Sequence, residues 1–191
     1  MTDDIHPVPL AARADPIPIL LEEYRQLYSL ALYRLQVLDQ RIPLATAAIT
    51  AIAGSVSALP ASMQPAFLVT LPIAAHLVYL STINHARSLE DALSRLSIVE
   101  SRINESAGAS LLSFQSTHPS RHTVGGRTGH STVAWVHAAT FALFAICACT
   151  MPWIGSASDA STLAYWGSLA GLAMLSIAER LRFGRYRYIA S

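Results

Sequence analysis

The chain has 191 residues, of which 52% are apolar and only 13% charged, with a mean hydropathy of +0.39 and a formal net charge of +1. An ordinary soluble domain carries about 25% charged residues, so this composition excludes a typical water-soluble fold. So small a net charge also supplies no basic field for phosphate backbones, and no nucleic-acid partner is expected. All 13 basic residues are arginine. With the abundance of alanine, that usage points to a GC-rich bacterial source.

In chain order, residues 1–18 ("MTDDIHPVPLAARADPIP") are polar and proline-rich, without a basic region followed by an apolar run. They read as a disordered cytoplasmic leader and not as a secretory signal. Residues 19–111 read as one unit. Between Leu20 and Arg41 the apolar positions 20, 21, 24, 27, 28, 31, 35 and 38 follow helical spacing, which predicts an amphipathic helix. It leads into an uncharged window, Ile42 to Leu59, with a second at Ala66 to Ile83; Pro43 and Pro72 lie inside them. Two more uncharged windows follow, Thr132 to Met151 and Ser161 to Ala178. A helix needs about 20 apolar residues to cross a bilayer core of about 30 Å. A core helix of a soluble bundle keeps a polar edge, and none of the four windows has a charged one.

Beyond the second window, Leu89, Leu93, Leu96, Val99 and Ile103 form an apolar seam at helical steps, ending near Gly108. The second helix is therefore expected to continue well past the membrane. Its seam needs a partner, and the N-terminal helix of the same or another copy is the natural one. Residues 112–131 read as a flexible loop holding His118, His122 and His130. Its glycines fit neither a P-loop nor a dinucleotide fingerprint, and its histidines read as solvated and not as metal ligands. Residues 132–191 hold the second hairpin and the tail "ERLRFGRYRY", whose four arginines suit an anionic inner leaflet.

The linkers 60–65 and 152–160 contain no arginine. The positive-inside bias then places both termini and segment 84–131 in the cytoplasm. The expected fold is all-α: a four-helix transmembrane bundle with cytoplasmic helical extensions, in a bacterial inner membrane.

Within the membrane the chemistry is sparse. Cys147 and Cys149 are two residues apart, about 200° around a helix, so they form neither a chelate nor a disulfide with each other. They read as small apolar packers. His76 and His137 fall at depths that differ by about 4 to 5 Å. They fit either the polar lining of a proton-sensitive path or plain hydrogen bonds to neighbouring helices. Two histidines fall short of the three or four ligands of a metal site, so neither metal nor cofactor is expected. Gly167 and Gly171, like Ala47 and Ala51, give four-residue small spacing that lets helices approach closely, within one chain or between subunits.

No nucleophile elbow, H-E-x-x-H or paired intramembrane carboxylate is present in the sequence, so no enzyme activity is expected. The expected function is that of an oligomeric four-span membrane protein forming a pore, channel or membrane effector. The alternative is a membrane anchor or scaffold that recruits a cytoplasmic protein. Over its first 110 residues the layout, a span hairpin followed by a long cytoplasmic helix, resembles that of small membrane effectors of bacterial conflict systems. That resemblance implies membrane perforation.

Overall fold

The computed structural model describes residues 16–56, 58, 60, 63–115, 123–150 and 159–186. These form four α-helices: α1 (Pro16–Val56), α2 (Gln64–Ala107), α3 (Gly126–Thr150) and α4 (Asp159–Gly184). The fold is all-α, as the apolar periodicity predicts. α1 packs on α2 and α3, and α4 packs on the same two helices. α2 therefore lies between the first and last helices of the chain.

α1 starts at Pro16, inside the stretch expected to be leader; residues 1–15 lie outside the described residues. Proline suits the first turn of a helix, where its missing N–H would be unpaired anyway. α1 and α2 both run through their internal prolines, Pro43 and Pro72. α2 ends at Gly108, whose φ of 64° is the left-handed value that glycine adopts without a Cβ penalty. Gly108 N–H bonds to Glu105 O and Ala109 N–H to Asn104 O, closing the last turn as a Schellman motif.

Among the described residues, three helical stretches are long and apolar enough to cross a membrane: Ala66–Ala107, Gly126–Thr150 and Ala160–Gly184. The first uncharged window is the exception among the four expected. It runs from Ile42 to Leu59, whereas α1 ends at Val56, and residues 57 and 59 lie outside the described residues.

The connection between α2 and α3 departs from the expected loop at both ends. Asn104 Oδ1 accepts the backbone N–H groups of Leu111 and Leu112 at 2.8 Å each, and its Nδ2 donates to Leu112 O at 2.6 Å. Gln115 N–H donates to both carboxylate oxygens of Glu100 at 2.9 and 3.1 Å. Gly125 N–H donates to Glu90 Oε2 at 2.7 Å. The described parts of the returning chain thus meet α2 in reverse order, tied to polar side chains one to three turns apart. Gly125 and Gly126 have φ of 71° and 67°, and α3 then begins at Gly126, five residues before the expected loop end at 131. A Cβ on Gly125 would lie 3.1 Å from Ala86 O, so glycine is also required for the close approach. His118 and His122 lie outside the described residues; His130 is on α3.

Candidate functional site

Both intramembrane histidines lie against one residue that sequence reasoning did not single out, Tyr79, which is fully buried. The His76 and Tyr79 ring centroids are 6.5 Å apart, and those of Tyr79 and His137 5.0 Å. His137 in turn packs on Phe141 at 4.6 Å. The row continues to Phe144, 5.9 Å from Phe141. The two imidazoles do not touch; each packs on the phenol that they share.

Ser176 of α4 organises the polar atoms. Its hydroxyl donates to Leu172 O at 2.9 Å, one turn back on the same helix. Having spent its proton there, Oγ accepts from His76 Nδ1 at 2.9 Å, which assigns the Nδ1–H tautomer to His76. Tyr79 OH donates to Ser176 O at 3.3 Å. One serine thereby cross-links α2 and α4 through two side chains. His137 Nδ1 is buried and has no hydrogen-bond partner among the described residues. It is the open valence of the row, since a buried polar atom is normally paired.

A second polar zone lies where the uncharged windows end. Arg41, one residue before the first window, donates from Nη1 to Ser81 Oγ at 3.0 Å, and its Nη2 lies 3.4 and 3.3 Å from the two ring nitrogens of His85. Arg87 pairs with Glu179 at 3.3 Å and lies over the Tyr186 ring at 5.7 Å. Glu179 also holds Arg182 at 2.7 Å. Arg180 Nη2 meets His130 Nε2 at 3.1 Å. These contacts bring together the arginine-bearing ends of all four windows. At the other end, Tyr165 OH donates to Leu68 O at 2.7 Å and Trp166 Nε1 to Ala148 O at 3.1 Å. From Leu68 to His85 a helix rises about 26 Å, close to the thickness of a bilayer core.

Beyond that zone, the seam residues Leu89, Leu96, Val99 and Ile103 are buried and Leu93 is partly buried. Leu89 and Leu93 pack with Ala31, Leu35 and Leu38 of α1 in the same chain. Further out, Tyr24 of α1 donates to Glu100 Oε1 at 3.2 Å and stacks on Tyr28, whose ring meets Phe114 edge-on at 5.7 Å. Burial, then the Glu100 carboxylate, pushes the Tyr24 phenol up to about 12. A hydrogen bond to Asp91 and partial burial likewise raise Tyr186. A cavity of about 180 Å³ opens here, lined by Tyr28, Leu32, Leu35, Leu93, Leu96 and Phe114 among others.

The small-residue rows are placed differently. Ala47, Ala51 and Gly167 are exposed and Gly171 half-buried. A Cβ on Gly167 or Gly171 would meet nothing within 4 Å. These rows do not mediate close helix packing inside the chain. Cys147 is buried and Cys149 exposed, on different sides of α3 as their spacing requires. Among the described residues no group of three or more His, Cys, Asp or Glu is gathered as a metal site would need. Comparison of the chain with family models, with curated proteins and with solved structures finds no match.

Proposed function

We propose that this chain is a multi-pass anchor of the bacterial inner membrane that holds a rigid helical platform on the cytoplasmic face for a protein partner. One observation carries the reading. Beyond the arginine zone, where water and not lipid is the solvent, the ordered platform leaves large apolar side chains uncovered: Leu32 is 49% exposed, Tyr33 64%, Leu111 66% and Phe114 51%. Apolar surface grouped on a structured element marks an interaction site. Two of the four, Leu32 and Phe114, line the cavity beside α1 and α2. In this reading all four windows cross the bilayer, both termini are cytoplasmic, and the Tyr79 row is a packing device. In this reading the chain acts by binding.

A pore assembled from several copies is the second reading. The exposed small residues Ala47, Ala51 and Gly167, with half-buried Gly171, favour it, since such rows suit contacts between copies. Against a pore through one subunit stands the fully buried Tyr79 ring, which packs beside both His76 and His137. Ion flux in liposomes containing the purified chain separates the two. The anchor predicts flux equal to that of protein-free vesicles. Flux above that level, abolished by His76→Leu or His137→Leu, overturns the anchor in favour of the pore.

A further inference from the structure

Two arginines at the end of the bundle share an unusual arrangement. Arg41 is held by Ser81 and His85, and Arg180 by His130. His85 Nδ1 donates to Ser81 O at 2.8 Å, one turn back, leaving Nε2 as the acceptor that faces Arg41. Arg180 also lies over the Phe183 ring, its Cζ 5.6 Å from the centroid. Both arginines and both histidines are half-buried. Among the described residues, neither guanidinium has a carboxylate within 4 Å. Glu179, next to Arg180 in sequence, is turned to Arg87 and Arg182 instead.

A guanidinium has five N–H donors in a fixed fork, and a neutral imidazole takes one of them without cancelling any charge. A half-buried cation held this way is incomplete until an anion reaches it. Both cations sit one or two residues outside an uncharged window. Arg41 meets α2 at Ser81 and His85, and Glu179, the residue next to Arg180, meets α2 at Arg87, so both ends lie against residues 81–87, about 9 Å of helix axis. At that depth in a bilayer the abundant anion is the phosphodiester of a lipid headgroup, which guanidinium forks bind bidentately.

We propose that Arg41 with Ser81 and His85, and Arg180 with His130, form two sites for the phosphate of anionic phospholipid headgroups. The inference rests on the membrane reading above and adds specific positions to it. An anionic headgroup is favoured over a zwitterionic one, whose own cation competes with the arginine. The Arg41 site is the stronger of the two, because Glu179 lies beside Arg180 and repels an anion.

The test is thermal unfolding of the full-length chain in neutral detergent, with additions of phosphatidylglycerol, phosphatidylcholine or inorganic phosphate. Phosphatidylglycerol raises the melting temperature saturably, and the other two do not. Arg41→Gln weakens the apparent lipid affinity roughly fivefold, the usual contribution of one basic residue at an anionic surface; Arg180→Gln weakens it less, and Arg41→Lys retains part of the response. Arg25→Gln, far from both sites, leaves the response unchanged. Equal stabilisation by phosphatidylcholine, or no response to phosphatidylglycerol in the unsubstituted chain, overturns the proposal. So does full retention of the response in the Arg41→Gln, Arg180→Gln double variant. A shift produced by inorganic phosphate alone replaces the lipid site with a free-anion site. A chain that stays dispersed in water without detergent defeats the membrane reading itself, an outcome distinct from a detergent-dependent chain that ignores the lipid.

Discussion

Replacing Glu100 by alanine tests whether the return from α2 to α3 is held by the side chains of α2. Glu100 is fully buried, and its oxygens accept Gln115 N–H at 2.9 and 3.1 Å and Tyr24 OH at 3.2 Å. Truncation leaves both donors facing a cavity. An unsatisfied buried donor costs about 1–3 kcal/mol. Part of that is recovered here, because Gln115 and Tyr24 are half-buried and water can reach them. The expected loss is about 2–3 kcal/mol, which for a chain of this length lowers the melting temperature by roughly 4–12 °C. Amide hydrogen exchange locates the effect. Protection at Leu111, Leu112 and Gln115 falls in Glu100→Ala, while protection in the apolar half of α3 is unchanged. Glu100→Gln keeps one oxygen acceptor and restores part of the protection at Gln115. Unchanged exchange over residues 109–115 in Glu100→Ala would refute the reasoning, since the segment would then be held by something other than this carboxylate.

Gly125→Ala forces a Cβ into a residue with φ of 71° and to within 3.1 Å of Ala86 O, and it costs about 1–2 kcal/mol. Gly129→Ala is the control: its Cβ meets side chains no closer than 3.7 Å within a helix, so melting in detergent is unchanged or slightly raised. Equal loss in both variants would sink the argument from backbone conformation. Tyr24 supplies the pH dependence. Its folded pKa is raised from 10.0 to about 12, so folding favours the protonated phenol. The associated stability is complete below about pH 10 and is lost as pH rises through about 12. The tyrosinate absorbance difference between wild type and Tyr24→Phe should therefore have its midpoint near 12, and Glu100→Gln should move it down; a midpoint near 10 in the unsubstituted chain would contradict the described contact with Glu100.

Local pattern alone was enough for the all-α class, the four uncharged windows, the helical seam from Leu89 to Ile103 and the stop at Gly108. Each depends on spacing along one helix or on the φ that a single residue tolerates, and those properties are written in consecutive letters. The opposed faces of Cys147 and Cys149 follow from the same geometry. Tyr79 was not legible as the hub between His76 and His137, because which rings from different helices meet depends on how those helices are rotated about their axes. Ser176 was equally silent: a serine in an apolar helix becomes a cross-link only when a histidine is brought opposite it. The loop histidines were grouped by their nearness in sequence, yet α3 starts early enough to carry His130 to Arg180. Nothing in the spacing of Glu90, Glu100 and Asn104 shows that the returning chain comes back to meet them. Periodicity decides which side of a helix is apolar; only tertiary packing decides which backbone N–H or which arginine that side will face, because such contacts join positions far apart in the chain and leave no periodic trace.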